Sequence, residues 1–156
     1  MQLIIQRVDR AAVYESGALA GKIGKGILIL LGVFGYDTKA DAEILAKKAA
    51  NLRIFCDDDG KMNLSLLDRN YSALVVSNFT LCADTRKGNR PSFINAMEPQ
   101  AANELYEYFI ERLKSEGVAQ AEHGVFGGDM TIDAKCNGPI TITLDSLTYK
   151  KPRNAN

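Results

Sequence analysis

One histidine, three cysteines, an even balance of charge and no apolar stretch of membrane length set the first limits on this 156-residue chain. Its 19 basic and 19 acidic side chains cancel. A strong DNA binder normally carries a basic excess, so any nucleic-acid contact here has to be local and no DNA partner is expected. Cys56, Cys82 and Cys136 are odd in number and form no C-x-x-C pair, which argues against structural zinc and against a disulfide framework. Each lies in or beside an apolar segment, where thiols are inert, and free thiols fit a reducing compartment. The longest apolar run, Gly26 to Gly35, is too short for a membrane helix. Met1 to Arg7 lacks the basic start and long apolar stretch of a signal peptide. The expectation is a soluble, cytoplasmic protein without a membrane partner.

Familiar catalytic constellations are scarce as well. His123 is the one imidazole, so a Ser–His or Cys–His hydrolase would have to use it. It precedes a glycine turn, where a solvated histidine is the commoner outcome. The Asp57-Asp58-Asp59-Gly60 stretch resembles a calcium loop, yet Asp68 stands where the twelfth-position Glu belongs and the flanks are not helical. A solvated acidic turn accounts for it better. Neither a P-loop nor a dinucleotide fingerprint occurs. No ligand cluster suggests a metal, and no cofactor is expected.

What is present suffices for one domain, residues 1–149, with a polar, mobile tail over 150–156. The apolar fraction is 46% and the charged fraction 24%, both ordinary for a globular domain. Residues 2–14 read as a strand, Glu15-Ser16-Gly17 as a turn and Ala18 to Ile23 as the returning hairpin arm. Ile27 to Phe34 is almost wholly apolar, as in a strand buried on both faces. Thr38 and Asp41 resemble a capping box, followed by Ala42, Leu45, Ala46, Ala49 and Leu52 at helical spacing. Ile54-Phe55 is a short strand and Leu74 to Leu81 another apolar one. Pro99 fits the first position of a second helix, striped by Ala102, Leu105, Phe109 and Leu113 and stopped at Gly117. Met130 to Cys136 and Ile140 to Leu147 read as two closing strands. The fold class expected is α/β, a mixed, strongly curved, barrel-like sheet covered by two main helices.

Two segments hold polar groups where the pattern is apolar. Ser77-Asn78-Phe79-Thr80-Leu81 closes a buried strand. Its hydroxyls either bond neighbouring backbone or face a pocket with a polar ligand, because burying them unbonded is costly. Asn137-Gly138-Pro139-Ile140-Thr141 interrupts a strand pattern and reads as a turn, since proline cannot donate to a ladder. Most X-Pro bonds are trans, so sequence leaves the isomer open.

Together these segments resemble the D-aminoacyl-tRNA deacylase family. Ser77 to Leu81 matches the family's Ser-Gln-Phe-Thr-Leu, with Asn78 for Gln, and Gly138 to Thr141 matches Gly-Pro-Val-Thr, with Ile140 for Val. Cys136-Asn137 stands where the family usually has Asn-Asp. Gln6-Arg7-Val8, Leu52-Arg53-Ile54-Phe55, Gly60-Lys61-Met62-Asn63, Arg86 to Phe93 and Gly124-Val125-Phe126-Gly127 are similar too, and the likeness runs from about Met1 to Leu147.

The resemblance implies a homodimer in which a cis Gly138-Pro139 of one subunit enters the other's pocket. There its carbonyls grip the substrate's α-ammonium and exclude L-side chains. Gly138, Pro139 and Met130 are the implied residues of substrate binding and chiral selectivity, while Ser77, Asn78, Phe79 and Thr80 form the implied catalytic segment. The implied reaction is hydrolysis of the ester joining a D-amino acid to the terminal ribose of tRNA, a proofreading step in translation. Phe79 and Thr80 backbone N–H groups are candidate oxyanion donors, and water is activated either by Thr80 or, as the resemblance favours, by the ribose 2′-hydroxyl. Glycine, being achiral, should pass the filter in part. Arg86, Lys87 and Arg90 are either a solvated loop or a phosphate contact. The alternative reading is a non-catalytic dimeric binder of tRNA acceptor ends.

Overall fold

The computed structural model describes residues 1–150. Strand β1 (Gln2–Glu15) turns at Ser16-Gly17, with φ of 49° and 82°, into β2 (Ala18–Ile23). Two left-handed residues are the pairing that matches the twist of a two-residue hairpin. Strand β3 (Gly26–Gly32) follows, then α1 (Lys39–Asn51), β4 (Phe55–Cys56), β5 (Met62–Leu64) and the short α2 (Leu66–Arg69). The chain returns as β6 (Ser72–Ser77), continues through α3 (Pro99–Ser115) and β7 (Ala121–His123), and closes with β8 (Met130–Asp145) and α4 (Ser146–Lys150).

The main sheet runs β2-β1-β3-β6-β7, with β8 on the other edge of β1. Antiparallel hairpin pairing gives way to parallel β3–β6 and β6–β7 pairs, and the crossovers between them carry α1 and α3. Parallel neighbours need such crossovers, and both helices land on one face of the sheet. The sheet curls until β2 lies beside β7, the mixed, barrel-like curvature expected from the sequence.

Alternation along the strands builds two cores. Ile27, Ile29, Leu31, Ala73 and Val75 face the helices, where they meet Leu45, Phe109 and Leu113, all buried. Leu28, Leu74 and Val76 face inward, with Val8, Val13 and Ile23. Strand β1 serves both: Leu3 and Ile5 join the helix-side core, Val8 and Val13 the inner one. The change of face falls where its pairing with β8 is irregular, because one extra residue reverses every later side chain.

Local signals place both helices. Thr38 and Asp41 form the capping box of α1. Pro99 opens α3, with Glu98 carboxylate oxygens accepting from Gln100 N at 3.1 Å and Ala101 N at 3.2 Å, and Gly117 ends it at φ 108°. The two short helices, α2 and α4, were not expected from the sequence. One has its own capping box, Ser65 with Asp68. The other begins at Ser146, so Leu147 belongs to it and not to a strand. Lys150, expected in the tail, ends α4 and bonds Asp41 at 2.7 Å; residues 151–156 lie outside the described chain.

Two expectations are corrected. The apolar strand stops at Ser77, and Phe79–Cys82 is a 3-10 turn. Asn78 N donates to Leu31 O at 2.8 Å as the last sheet bond, after which the chain passes over Gly32. A Cβ at Gly32 would lie 2.8 Å from Leu81 Cβ, so glycine makes the exit possible. The two closing strands are one. Gln6 pairs with Thr141 and Val8 with Cys136, so Asn137 to Ile140 bulge out opposite Arg7 while the strand continues past them.

Candidate active site

The end of β6 forms one wall of an open cleft of about 860 Å³. Ser77, Asn78 and Phe79 line it, as does Met130 from the start of β8. The facing surface is apolar: Phe93 and Ile94 from the long loop before α3, and Phe126 from the glycine-rich turn. Phe79 is 60% exposed and meets Phe93 edge-to-face at 5.0 Å, an aromatic pair open to solvent at the rim. Phe93, Ile94 and Phe126 were not singled out from sequence as site residues. Exposed aromatic and aliphatic side chains in loops were the available signal.

Inside the turn the polar groups are partly committed. The Thr80 hydroxyl donates to Asn78 Oδ1. Leu81 N donates to Asn78 O at 3.3 Å and Ala83 N to Thr80 O at 3.2 Å. Phe79 and Thr80 N–H groups open the helical turn, so they have no acceptor within it, and the Asn78 side chain makes no cap bond. Thr80 itself is exposed and does not line the cleft. Behind the turn, Cys82 is buried with Sγ 3.3 Å from Val33 O, and burial pushes its thiol up to about 11. That thiol is not a nucleophile at neutral pH. Cys56 and Cys136, expected in apolar surroundings, are exposed.

His123 is outside the cleft. Its Nδ1 lies 2.8 Å from Gly124 O. A carbonyl only accepts, so Nδ1 carries the proton. The Asp57 carboxylate is turned onto its own loop, accepting from Asp59 N at 3.0 Å and Lys61 N at 2.9 Å, as an acidic turn does.

The loop after the cleft strand is closed by paired backbone bonds between Asp84 and Ser92 at 2.7 and 2.9 Å. Arg86 is spent there. It grips Asp84 through Nε at 2.9 Å and Nη2 at 2.6 Å, and these bonds hold the Asp84 carboxyl down to about 2. Lys87 and Arg90 make no ion pair among the described residues and are exposed.

Gly138-Pro139 is a cis peptide at the β8 bulge. Gly138 has φ 122°, and a Cβ there would sit 2.7 Å from Ile140 N. Neither residue lines the cleft of its own chain. The segment is anchored by Arg7, whose Nη2 donates to Asn137 Oδ1 at 2.7 Å and whose Nη1 donates to Ile54 O at 2.8 Å. Asn137 in turn donates to Asp9 Oδ1 at 2.9 Å. Arg7 drew notice in sequence only as part of a family-like stretch; an arginine inside an apolar strand was the mark of this role.

Residues 4–145 match the family described as D-Tyr-tRNA(Tyr) deacylase. A D-aminoacyl-tRNA deacylase of Dehalococcoides mccartyi is 52% identical over 153 residues, covering 98% of this chain and 99% of the relative. One from Roseiflexus castenholzii is 51% identical over 154 residues, covering 99% and 98%. Among solved structures, one titled c-Myc DNA Unwinding Element Binding Protein aligns with a TM-score of 0.87 at 39% identity, covering 93% of this chain and 98% of its own. A probable eukaryotic D-amino acid tRNA deacylase shares the fold at a TM-score of 0.79 and 15% identity, covering 92% and 97%. Carried by the cleft-wall segment Ser77 to Leu81, the Gly138-Pro139 bulge and near-complete alignment with these relatives, the conclusion is that this chain belongs to the D-aminoacyl-tRNA deacylase family.

Proposed function

We propose that this chain hydrolyses the ester linking a D-amino acid to the 3′-terminal ribose of tRNA. The observation that carries the reading is the Phe79–Cys82 turn after β6, whose first N–H groups have no acceptor within it, at the mouth of an apolar cleft large enough for an aminoacyl group. An aminoacyl ester is already activated, so holding it beside water and donating to the developing oxyanion is sufficient catalysis. Phe79 N and Thr80 N are the donors in this reading. The ribose 2′-hydroxyl assists the attacking water, which agrees with a Thr80 hydroxyl that faces an amide oxygen and not a base. Phe79 and Phe93 offer a stacking face to the terminal adenine, and Lys87 and Arg90 remain as loop contacts to phosphate.

Selectivity belongs to a homodimer in this proposal. Gly138-Pro139 projects from a bulge fixed by Arg7 and is absent from its own cleft, which suits delivery into a partner's. Its carbonyls would accept from the substrate's α-ammonium and leave no room for an L-side chain, with Met130 in the adjoining wall. Glycyl-tRNA, lacking a side chain to reject, is cleaved to some extent. Incubation with D-tyrosyl-tRNA tests the reading. Many free D-tyrosines released per enzyme are expected. Stoichiometric binding without release would make the protein a binder of acceptor ends instead.

A further inference from the structure

A second, smaller pocket of about 200 Å³ lies apart from the cleft, lined by Arg7, Lys25, Arg69, Tyr71, Asn137 and Asp9 among others. Its cations have only neutral partners. Arg7 donates to the Ile54 carbonyl at 2.8 Å and to Asn137 Oδ1 at 2.7 Å, and Arg69 donates to the Cys56 carbonyl. Neither forms an ion pair among the described residues, and nor does Lys25, which is exposed in the turn before β3. The one carboxylate in the wall, Asp9, is held by Asn137 Nδ2 at 2.9 Å and by Lys135 Nζ at 3.5 Å. Carbonyl oxygens satisfy hydrogen bonds without cancelling charge. The pocket therefore keeps a positive excess in a chain whose net charge is zero.

An anion with several acceptor oxygens suits two guanidinium groups and an ammonium, and the volume fits a single phosphate group better than a nucleoside. We propose that this pocket takes a backbone phosphate from the single-stranded acceptor end of the RNA. Asn137 belongs to its wall and immediately precedes Gly138-Pro139. The inference rests on the functional reading above, in which that motif meets the aminoacyl ester; a phosphate lodged beside it then lies on the same strand, a short way from the ester. A free phosphate ion offers the same chemistry, so the test has to separate the two sources.

The experiment measures the salt dependence of tRNA binding for the wild-type chain, Lys25→Gln, Lys25→Gln/Arg69→Gln and Lys25→Arg. Each single-strand phosphate contact contributes about 0.7 to the slope of log affinity against log salt. Lys25→Gln is expected to flatten the slope by up to that amount, the double variant by the whole of it, and Lys25→Arg to keep the wild-type slope. Lys25 is an exposed turn residue, so its single variant keeps the test valid should Arg69→Gln disturb folding. A wild-type slope in both glutamine variants overturns the inference. So does saturable binding of inorganic phosphate that Lys25→Gln abolishes while the tRNA slope stays unchanged, because the pocket would then serve a free ion. Hydrolysis of D-tyrosyl-tRNA by the wild-type chain is scored separately. Its absence sinks the functional reading, while the slope still reports on the phosphate contact.

Discussion

At the scale of single residues, Asn78 and Thr80 decide what kind of hydrolase this can be. The family motif has Gln at position 78. The shorter Asn78 side chain accepts from the Thr80 hydroxyl through Oδ1, so a bond from Asn78 to ribose or adenine would fall to its Nδ2 amino group. A nucleophilic Thr80 would need a base, and its partner is an amide oxygen. What the substrate would use is backbone, which side-chain deletion leaves in place. Thr80→Ala removes one neutral hydrogen bond, worth about 1 kcal/mol or roughly fivefold in rate. We expect kcat/KM for D-tyrosyl-tRNA to fall by less than about tenfold. A loss beyond about a thousandfold in a folded protein would mean that the hydroxyl is the nucleophile.

At the scale of elements, one carboxylate ties two helices together. Asp41 closes the capping box of α1, accepting from Thr38 N at 2.8 Å, and pairs with Lys150 of α4 at 2.6 Å while fully buried. Burial alone would raise its carboxyl, but bonds from Lys150, Ser146 and Thr38 outweigh burial and hold it well below the usual carboxylate range. A depressed carboxyl stabilises the fold wherever the unfolded group is ionised, above about pH 4. The contribution is complete at neutral pH and fades as the pH drops below that value. Asp41→Ala should therefore cost about 2 kcal/mol at pH 7, the scale of a lost helix cap together with a charge-assisted bond to the partly exposed Lys150, and the gap from wild type should narrow at pH 3. Denaturant titration at the two pH values checks this.

The elements also show what sequence could and could not reveal. Thr38 with Asp41, Pro99 and Gly117 are local devices, and each sits where its spacing predicts. Ser77 was legible as a strand end only in part: Leu81 is as apolar as a strand residue, and the exit from the sheet depends on the close approach of Leu81 to Gly32, a tertiary fact. Gly138-Pro139 read as a break because proline ends ladders. The ladder instead skips Asn137 to Ile140, and β1 holds both sides of the gap. The cationic pocket draws on Arg7, Lys25 and Arg69, which no local pattern links.

At the scale of the whole molecule, β8 presents a long unpaired edge among the described residues. It is 16 residues long, mostly exposed, and pairs with β1 along one edge alone among the described residues. Long free edges invite pairing, and Ile132 at 36% exposure and Leu147 at 39% add apolar area nearby. A second copy would cover such a surface and, in the proposed arrangement, bring each Gly138-Pro139 to the other's cleft. Sedimentation equilibrium should return twice the 17.1 kDa of the chain; a monomer at micromolar concentration would remove the cross-subunit filter. The most direct measurement of the central claim is the ratio of kcat/KM for D-tyrosyl-tRNA to that for L-tyrosyl-tRNA, with the same tRNA and enzyme. The account predicts ready hydrolysis of the D-ester and an L-ester hydrolysed no faster than in buffer. Equal rates on both esters, or no hydrolysis of either, would contradict it.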